Sequence, residues 1–302
     1  MSVTNHASLV LVPLLVLTLT IGCAKEASMP PASAAVVRVS AGGPELTFAL
    51  VPGRCVAGKC PAAIELVSGQ KLLDSAALEF AASDAKLVKE QGDTGLGASA
   101  GLEAWTAGTE EGAVTTAVQG VRLTATRVGL LIHQAGGFEH VKRRRDLFVA
   151  DAGKLRKVWS VLDGAGPVRS AAYVVPAENR QYDEILYFDG LIPGGAEPDS
   201  LSAQRLAWDE TSQALRANPM DSLPAVIAGE FPNVEAARSA QANACLAEYW
   251  VLPADRFGGS PARYVLAMVV PDRQNVDAEM ARACDGLPAR RLAQFRPSME
   301  GN

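Results

Sequence analysis

Two hydrophobic patterns divide the chain. From Val36 to about Ala217 apolar residues come in short runs, many β-branched or aromatic, separated by Gly- and Pro-bearing turns. Val36–Ser40, Glu45–Leu50 and Ala63–Val67 are bounded by Gly-Gly, Pro-Gly or Ser-Gly pairs, the punctuation expected of strands. Ala113–Val118, Val121–Thr126, Val128–His133, Asp146–Ala150 and Leu155–Leu162 continue the series, and Ala171–Val175, Glu184–Tyr187 and Leu201–Trp208 complete it. Leu147 to Trp159 reads as a hairpin with Asp151-Ala152-Gly153 in its loop. Many short strands with little helical period predict an antiparallel β-rich domain over residues 36–217, either a sandwich or a curved sheet.

Past Leu223 the period changes. Asn233-Val234-Glu235-Ala236 recurs as Asn275-Val276-Asp277-Ala278, and each copy leads through Ala-rich sequence to an Ala-Cys pair, at Cys245 and Cys284. In both copies Asn is predicted to cap a helix whose first turn carries an acid, favourable at the positive helix end. A strand-like run precedes each helix (Pro224–Phe231, Arg263–Val270) and another follows it (Glu248–Leu252, Ala289–Phe295). The pattern is βαβ twice, so residues 222–297 are expected to form a small βαββαβ, ferredoxin-like domain with both helices on one face. The whole chain is then of the α+β class.

A third pattern lies at the start. Leu9 to Cys23 is apolar, uncharged and broken by Pro13, and polar Ala24-Lys25-Glu26 follows at once. A membrane-spanning helix needs about 20 apolar residues, so this run reads as the core of a signal peptide over residues 1–22. Residues 23–35 read as Cys23 and a flexible tether, whose small and Pro residues reach on the order of 20 Å.

Composition and charge narrow the function. The chain has 302 residues, 48% hydrophobic and 20% charged, ordinary for a globular protein. A net charge of -5 argues against general nucleic-acid binding, which needs a basic surface. Two basic clusters, Lys142 to Arg145 and Lys154 to Lys157, read as the solvated faces of neighbouring strands rather than as an anion site. Besides Cys23 there are four cysteines, an even number that fits two disulfides in an exported chain. Cys55 and Cys60 flank a turn-like Val-Ala-Gly-Lys and would bridge locally. Cys245 and Cys284 would then pair by elimination, the alternative being two buried free thiols. No second C-x-x-C and no nearby His favours a metal site, and no cofactor motif stands out.

One catalytic pattern occurs. Gly97-Ala98-Ser99-Ala100-Gly101 matches G-x-S-x-G, with Glu103, Glu139, His133 and His140 later in the chain. A nucleophile elbow needs a strand-to-helix turn at the serine, and Gly-rich flanks with no helix after them read instead as a loop. Trp105, Trp159 and Trp208 read as core or sheet-face residues.

Thr20-Ile21-Gly22-Cys23 resembles the lipobox of bacterial lipoproteins. The resemblance implies lipidation at Cys23 and anchoring to a membrane of the cell envelope. The absence of Asp after Cys23 resembles lipoproteins sorted to the outer membrane. Val226-Ile227-Ala228-Gly229-Glu230-Phe231, followed by Ala236-Ala237 in a helix, resembles the opening of SPOR domains, βαββαβ modules that bind peptidoglycan glycan strands. That resemblance implies glycan contacts on the sheet face, for which Tyr249, Trp250, Arg263 and Tyr264 are candidates: aromatics stack on sugar rings and Arg reaches hydroxyls. The leading expectation is a non-enzymatic, lipid-anchored envelope protein that contacts peptidoglycan. The alternatives are an envelope scaffold that binds another protein and a secreted serine hydrolase using Ser99.

Overall fold

The computed structural model describes residues 35–39, 46–84, 86–90, 104–108, 112–136, 142–163, 168–177, 181–193, 195–218, 220–246, 248–271, 273–281 and 290–297. The expected signal peptide, Cys23, the tether to residue 34, and Ser99 with its Gly-rich loop lie outside them. The protein is a β-rich α+β structure made of antiparallel sheets.

Four sheets stack in the order of the chain. The first is a meander of β1 (Ala35–Val39), β2 (Leu46–Pro52), β3 (Cys60–Ser68) and β4 (Lys71–Ala82). The second holds β5 (Leu87–Lys89), β6 (Ala104–Ala107), β7 (Val114–Arg122), β8 (Val128–Gly136), β9 (Lys142–Asp151) and β10 (Lys154–Asp163), again side by side in chain order. The third holds β11 (Val168–Pro176), β12 (Asp183–Leu191), β13 (Ser200–Asp209) and β14 (Ala214–Asn218). The fourth contains β15 (Leu223–Phe231), β16 (Trp250–Pro253), β17 (Tyr264–Val269) and β18 (Arg291–Phe295) in the order β16-β17-β15-β18. Helix α1 (Val234–Gln241) joins β15 to β16, and α2 (Arg273–Ala281) joins β17 to β18.

The middle sheets are buried on both faces, and their sequences explain why. Along β8 Val128, Leu130 and Ile132 pack into the core shared with the first sheet, while Leu131 packs toward the third. On β9 Phe148 joins the first core and Leu147 and Val149 the other. On β12 Ile185 faces the second sheet, while Leu186 and Phe188 face the fourth. A strand covered on both sides has no polar face to keep, so its sequence becomes a continuous apolar run rather than an alternation. The core between the third and fourth sheets unites Val175, Leu186, Phe188 and Leu201 with Leu223, Ile227, Trp250 and Ala267. One apolar core therefore crosses the boundary expected between residues 217 and 222.

The far face of the fourth sheet is covered by the helices. Val234 and Ala237 of α1 pack on Ala228, Val251 and Leu266, and Val276 of α2 packs with Val226 and Val270. Helix α1 starts as its sequence predicts, with Asn233 Oδ1 accepting the Ala236 N–H at 2.8 Å. We expect Asn233→Ala to cost about 1 kcal/mol, read as a lower urea midpoint, with Asn233→Ser close to the wild type. The second copy differs. Helix α2 begins at Arg273, so Asn275 lies inside the helix and not at its cap.

Three further differences come from tertiary context. The strand pattern left Val67 to Ala113 empty, and there the structure places β4, the longest strand, together with β5 and β6. Lys71-Leu-Leu-Asp-Ser-Ala-Ala-Leu-Glu-Phe carries residues that suit a helix, yet pairing with β3 and burial of Leu78 override that preference. The two strands expected over Ala113–Val118 and Val121–Thr126 are one strand, β7, running through Gly120. A Cβ on Gly120 would lie 2.4 Å from Val39 Cγ2, so the glycine admits β1 rather than ending the strand. Residues 123–127 form the turn, with Leu123 and Thr124 N–H donating to the Arg127 carbonyl. The β9–β10 hairpin is as expected, and Ala152 and Gly153 turn with positive φ of 48° and 78°.

Candidate functional site

The residues nominated for glycan contact do not share a surface. Tyr249 and Trp250 are neighbours with opposite orientations, as period-two geometry requires of an extended chain. Tyr249 is fully buried beneath the helices, and its hydroxyl donates to Glu279 Oε1 of α2 at 2.6 Å. Trp250 is 6% exposed and packs into the core against the third sheet. A Cβ on Gly190 of β12 would lie 2.3 Å from Trp250 Cη2, so the indole rests directly over that glycine. Neither ring offers a face to a sugar, which corrects the expectation for these two residues. Arg263 and Tyr264 remain partly accessible, and Arg263 Nε pairs with Glu230 Oε1 at 2.8 Å.

The sheet face that was to hold the ligand is the face that β11–β14 covers. A buried carboxylate pins the two sheets together. Asp199, in the loop before β13, accepts from Arg238 Nη2 of α1 at 2.6 Å and from the Val251 N–H at 2.7 Å. Its own N–H donates to the Val251 carbonyl at 2.8 Å. A carboxylate that accepts from a guanidinium and a backbone N–H compensates the cost of burying it.

The second seam, between the second and third sheets, holds a polar cluster that the sequence did not mark. Arg145, read as part of a solvated basic run, is 1% exposed. Its Nη1 donates to Asp163 Oδ2 at 2.7 Å and to Ser170 Oγ, and its Nη2 donates to the Ser170 carbonyl. Ser170 Oγ also donates to Asp163. The other cations of the two basic runs are at least partly accessible, and they meet both surface and buried groups. Arg144 binds Asp146 and Glu79, Lys157 binds Glu79, and Arg156 and Arg127 stand over the Trp208 ring. Trp105 lies in the first core, and Trp159 meets Tyr187 edge-on at 5.5 Å beside the second.

His133 completes the cluster. It sits opposite Arg145 in the β8–β9 register and is fully buried, and neither ring nitrogen has a hydrogen-bond partner among the described residues. Burial, with the Arg145 charge adding to it, pushes its pKa down to about 3. Arg145 faces it from the neighbouring strand of the same sheet, and Tyr187 and Asp189 of the third sheet lie near Arg145 and Asp163. Burial, reinforced by the neighbouring acids, raises the pKa of both the Tyr187 hydroxyl and the Asp189 carboxyl.

A pH dependence follows. The unfolded chain takes up a proton at His133 near pH 6.5, while the folded chain resists until about pH 3. The stabilisation is therefore complete above pH 6.5 and drains as pH falls toward 3, by on the order of 5 kcal/mol in all. Urea melts of the wild type should weaken across that window, and His133→Leu should flatten the dependence. An unchanged slope in the variant would assign the acid sensitivity elsewhere.

Cys55 and Cys60 form the local disulfide that their spacing predicts, closing a hairpin turn at Ala57-Gly58. Cys245, in a 3-10 turn after α1, is also disulfide-bonded, and its partner lies outside the described residues, as does Cys284. Among the described residues no group of three or more His, Cys, Asp or Glu is placed to hold a metal ion, and no helix is long and apolar enough to cross a membrane.

No family model, curated protein or solved structure matches the chain.

Proposed function

We propose that the protein is a non-enzymatic, lipid-anchored scaffold of the bacterial cell envelope, held to the membrane through Cys23 and facing the periplasm from the outer membrane. Its role is to present a rigid stack of sheets to another envelope protein. The single observation that carries this reading is the double burial of the C-terminal sheet, with helices on one face and β11–β14 on the other. The element order β-α-β-β-α-β and the strand order β16-β17-β15-β18 support a ferredoxin-like, SPOR-like fold for residues 222–297. In this reading the module has given up its open face to become the end piece of the stack. That is why we place scaffolding ahead of contact with peptidoglycan. We also infer that Cys245 pairs with Cys284, closing a loop of roughly forty residues worth about 3–4 kcal/mol.

Fractionation with in-cell cross-linking tests the proposal. The wild type should sediment with membranes and cross-link reproducibly to one envelope protein. Cys23→Ser should be released unlipidated and lose that adduct. A Cys23→Ser chain that stays membrane-bound at unchanged mass would refute the anchor, and labelling of the folded protein by a serine-hydrolase reagent would refute the non-enzymatic reading.

A further inference from the structure

The geometry points to a binding site for a small amphipathic anion, seated between Lys59 and Lys142 at the open end of the sandwich formed by the first two sheets. A cavity of about 300 Å³ opens there, at the low end of the size range of small-molecule sites. Its apolar lining comes from Phe80 of β4 and Val114 of β7. Gly136, the last residue of β8, keeps it open: a Cβ there would lie 3.1 Å from Val114 Cγ2 and 3.5 Å from Phe80 Cδ2.

Charge at the rim selects the ligand. Lys59 and Lys142 both line the cavity, and neither is ion-paired among the described residues. Glu79 also lines it, but its carboxylate is engaged by Lys157 Nζ at 2.8 Å and by Arg144 Nη2 at 3.3 Å. The same two cations, Lys157 first, lower its pKa, so it stays ionised and turned toward them. Among the described residues two ammonium groups without an ion pair thus remain beside a hollow of mixed polar and apolar lining, in a chain whose net charge is -5. Lys59 is also held in place. It lies in the hairpin closed by the Cys55–Cys60 disulfide, where its N–H and carbonyl both pair with Val56. The fixed backbone anchors the base of the side chain, whose own torsions are ordered only when an anion arrives. The matching ligand carries one anionic head for the lysines and a short apolar body for Phe80 and Val114.

Titration calorimetry on the purified full chain, without detergent, tests this with octanoate, 1-octanol and acetate. Octanoate should bind saturably, and both 1-octanol and acetate at least about tenfold more weakly, a difference of ~1.4 kcal/mol. Lys59→Gln with Lys142→Gln should weaken octanoate by about tenfold and leave the melting temperature near that of the wild type. Gly136→Val keeps both charges but fills the hollow, and should also weaken octanoate. No saturable octanoate binding, equal binding of acetate, or an affinity unchanged in both variants would each overturn the assignment.

Discussion

Asp163→Ala is expected to destabilise the protein by about 3–5 kcal/mol, because it removes one partner of a buried ion pair. Arg145 is 1% exposed, and Asp163 Oδ2 accepts from its Nη1 at 2.7 Å. Removing the carboxylate takes a negative charge from beside the guanidinium, where His133 is neutral and Ser170 brings no charge. The damage should therefore exceed the loss of a hydrogen bond, which is worth about 1 kcal/mol net. The pair itself is a poor source of stability, since burying both charges cost nearly what their attraction returns. Hence the double variant Arg145→Met with Asp163→Leu should recover most of the loss. Urea melts of the three proteins check the sign of each step. A single variant within about 1 kcal/mol of wild type would mean that Arg145 reaches water when its partner goes.

Trp250→Ala should cost a similar amount, about 3–5 kcal/mol, through lost burial and the cavity left behind. The indole spans the seam between the third and fourth sheets and lies against the Cα of Gly190. The reciprocal change, Gly190→Val, pushes a side chain into the ring from the other side. A clash at 2.3 Å with a buried indole has no flexible tip to yield, so overpacking here should also cost several kcal/mol. The two lesions should not add when combined, because removing the ring makes room for the valine. Additivity would show that the indole and Gly190 do not meet.

What the chain made legible was local. The Gly153 turn, the Cys55–Cys60 bridge and the Asn233 cap each depend on a few consecutive residues, and each stands where the pattern put it. The number and layering of the sheets were legible only in part. The uninterrupted runs Leu130-Leu131-Ile132 and Leu147-Phe148-Val149 signal strands covered on both faces, but not what covers them. Strand β4 was hidden because its Leu, Ala and Glu content suits a helix, and only pairing with β3 makes it extended. Arg145 was hidden for a related reason: nothing in Lys142-Arg143-Arg144-Arg145 says which arginine turns inward, since that depends on Asp163 and Ser170 of later strands. Tyr249 and Trp250 were read as one aromatic surface, whereas adjacent residues of an extended segment cannot share a face. That alternation was in the sequence and would have split the pair into two cores.

The decisive feature of the molecule is the closure of the C-terminal sheet by β11–β14. Co-sedimentation of the full chain with purified peptidoglycan, intact and amidase-treated, tests this most directly. The buried positions of Tyr249 and Trp250 predict that the protein stays in the supernatant with both preparations, at the level of a non-binding control. Saturable pelleting, enriched on the stripped glycan, would contradict it and would mean that the fourth sheet opens to its ligand.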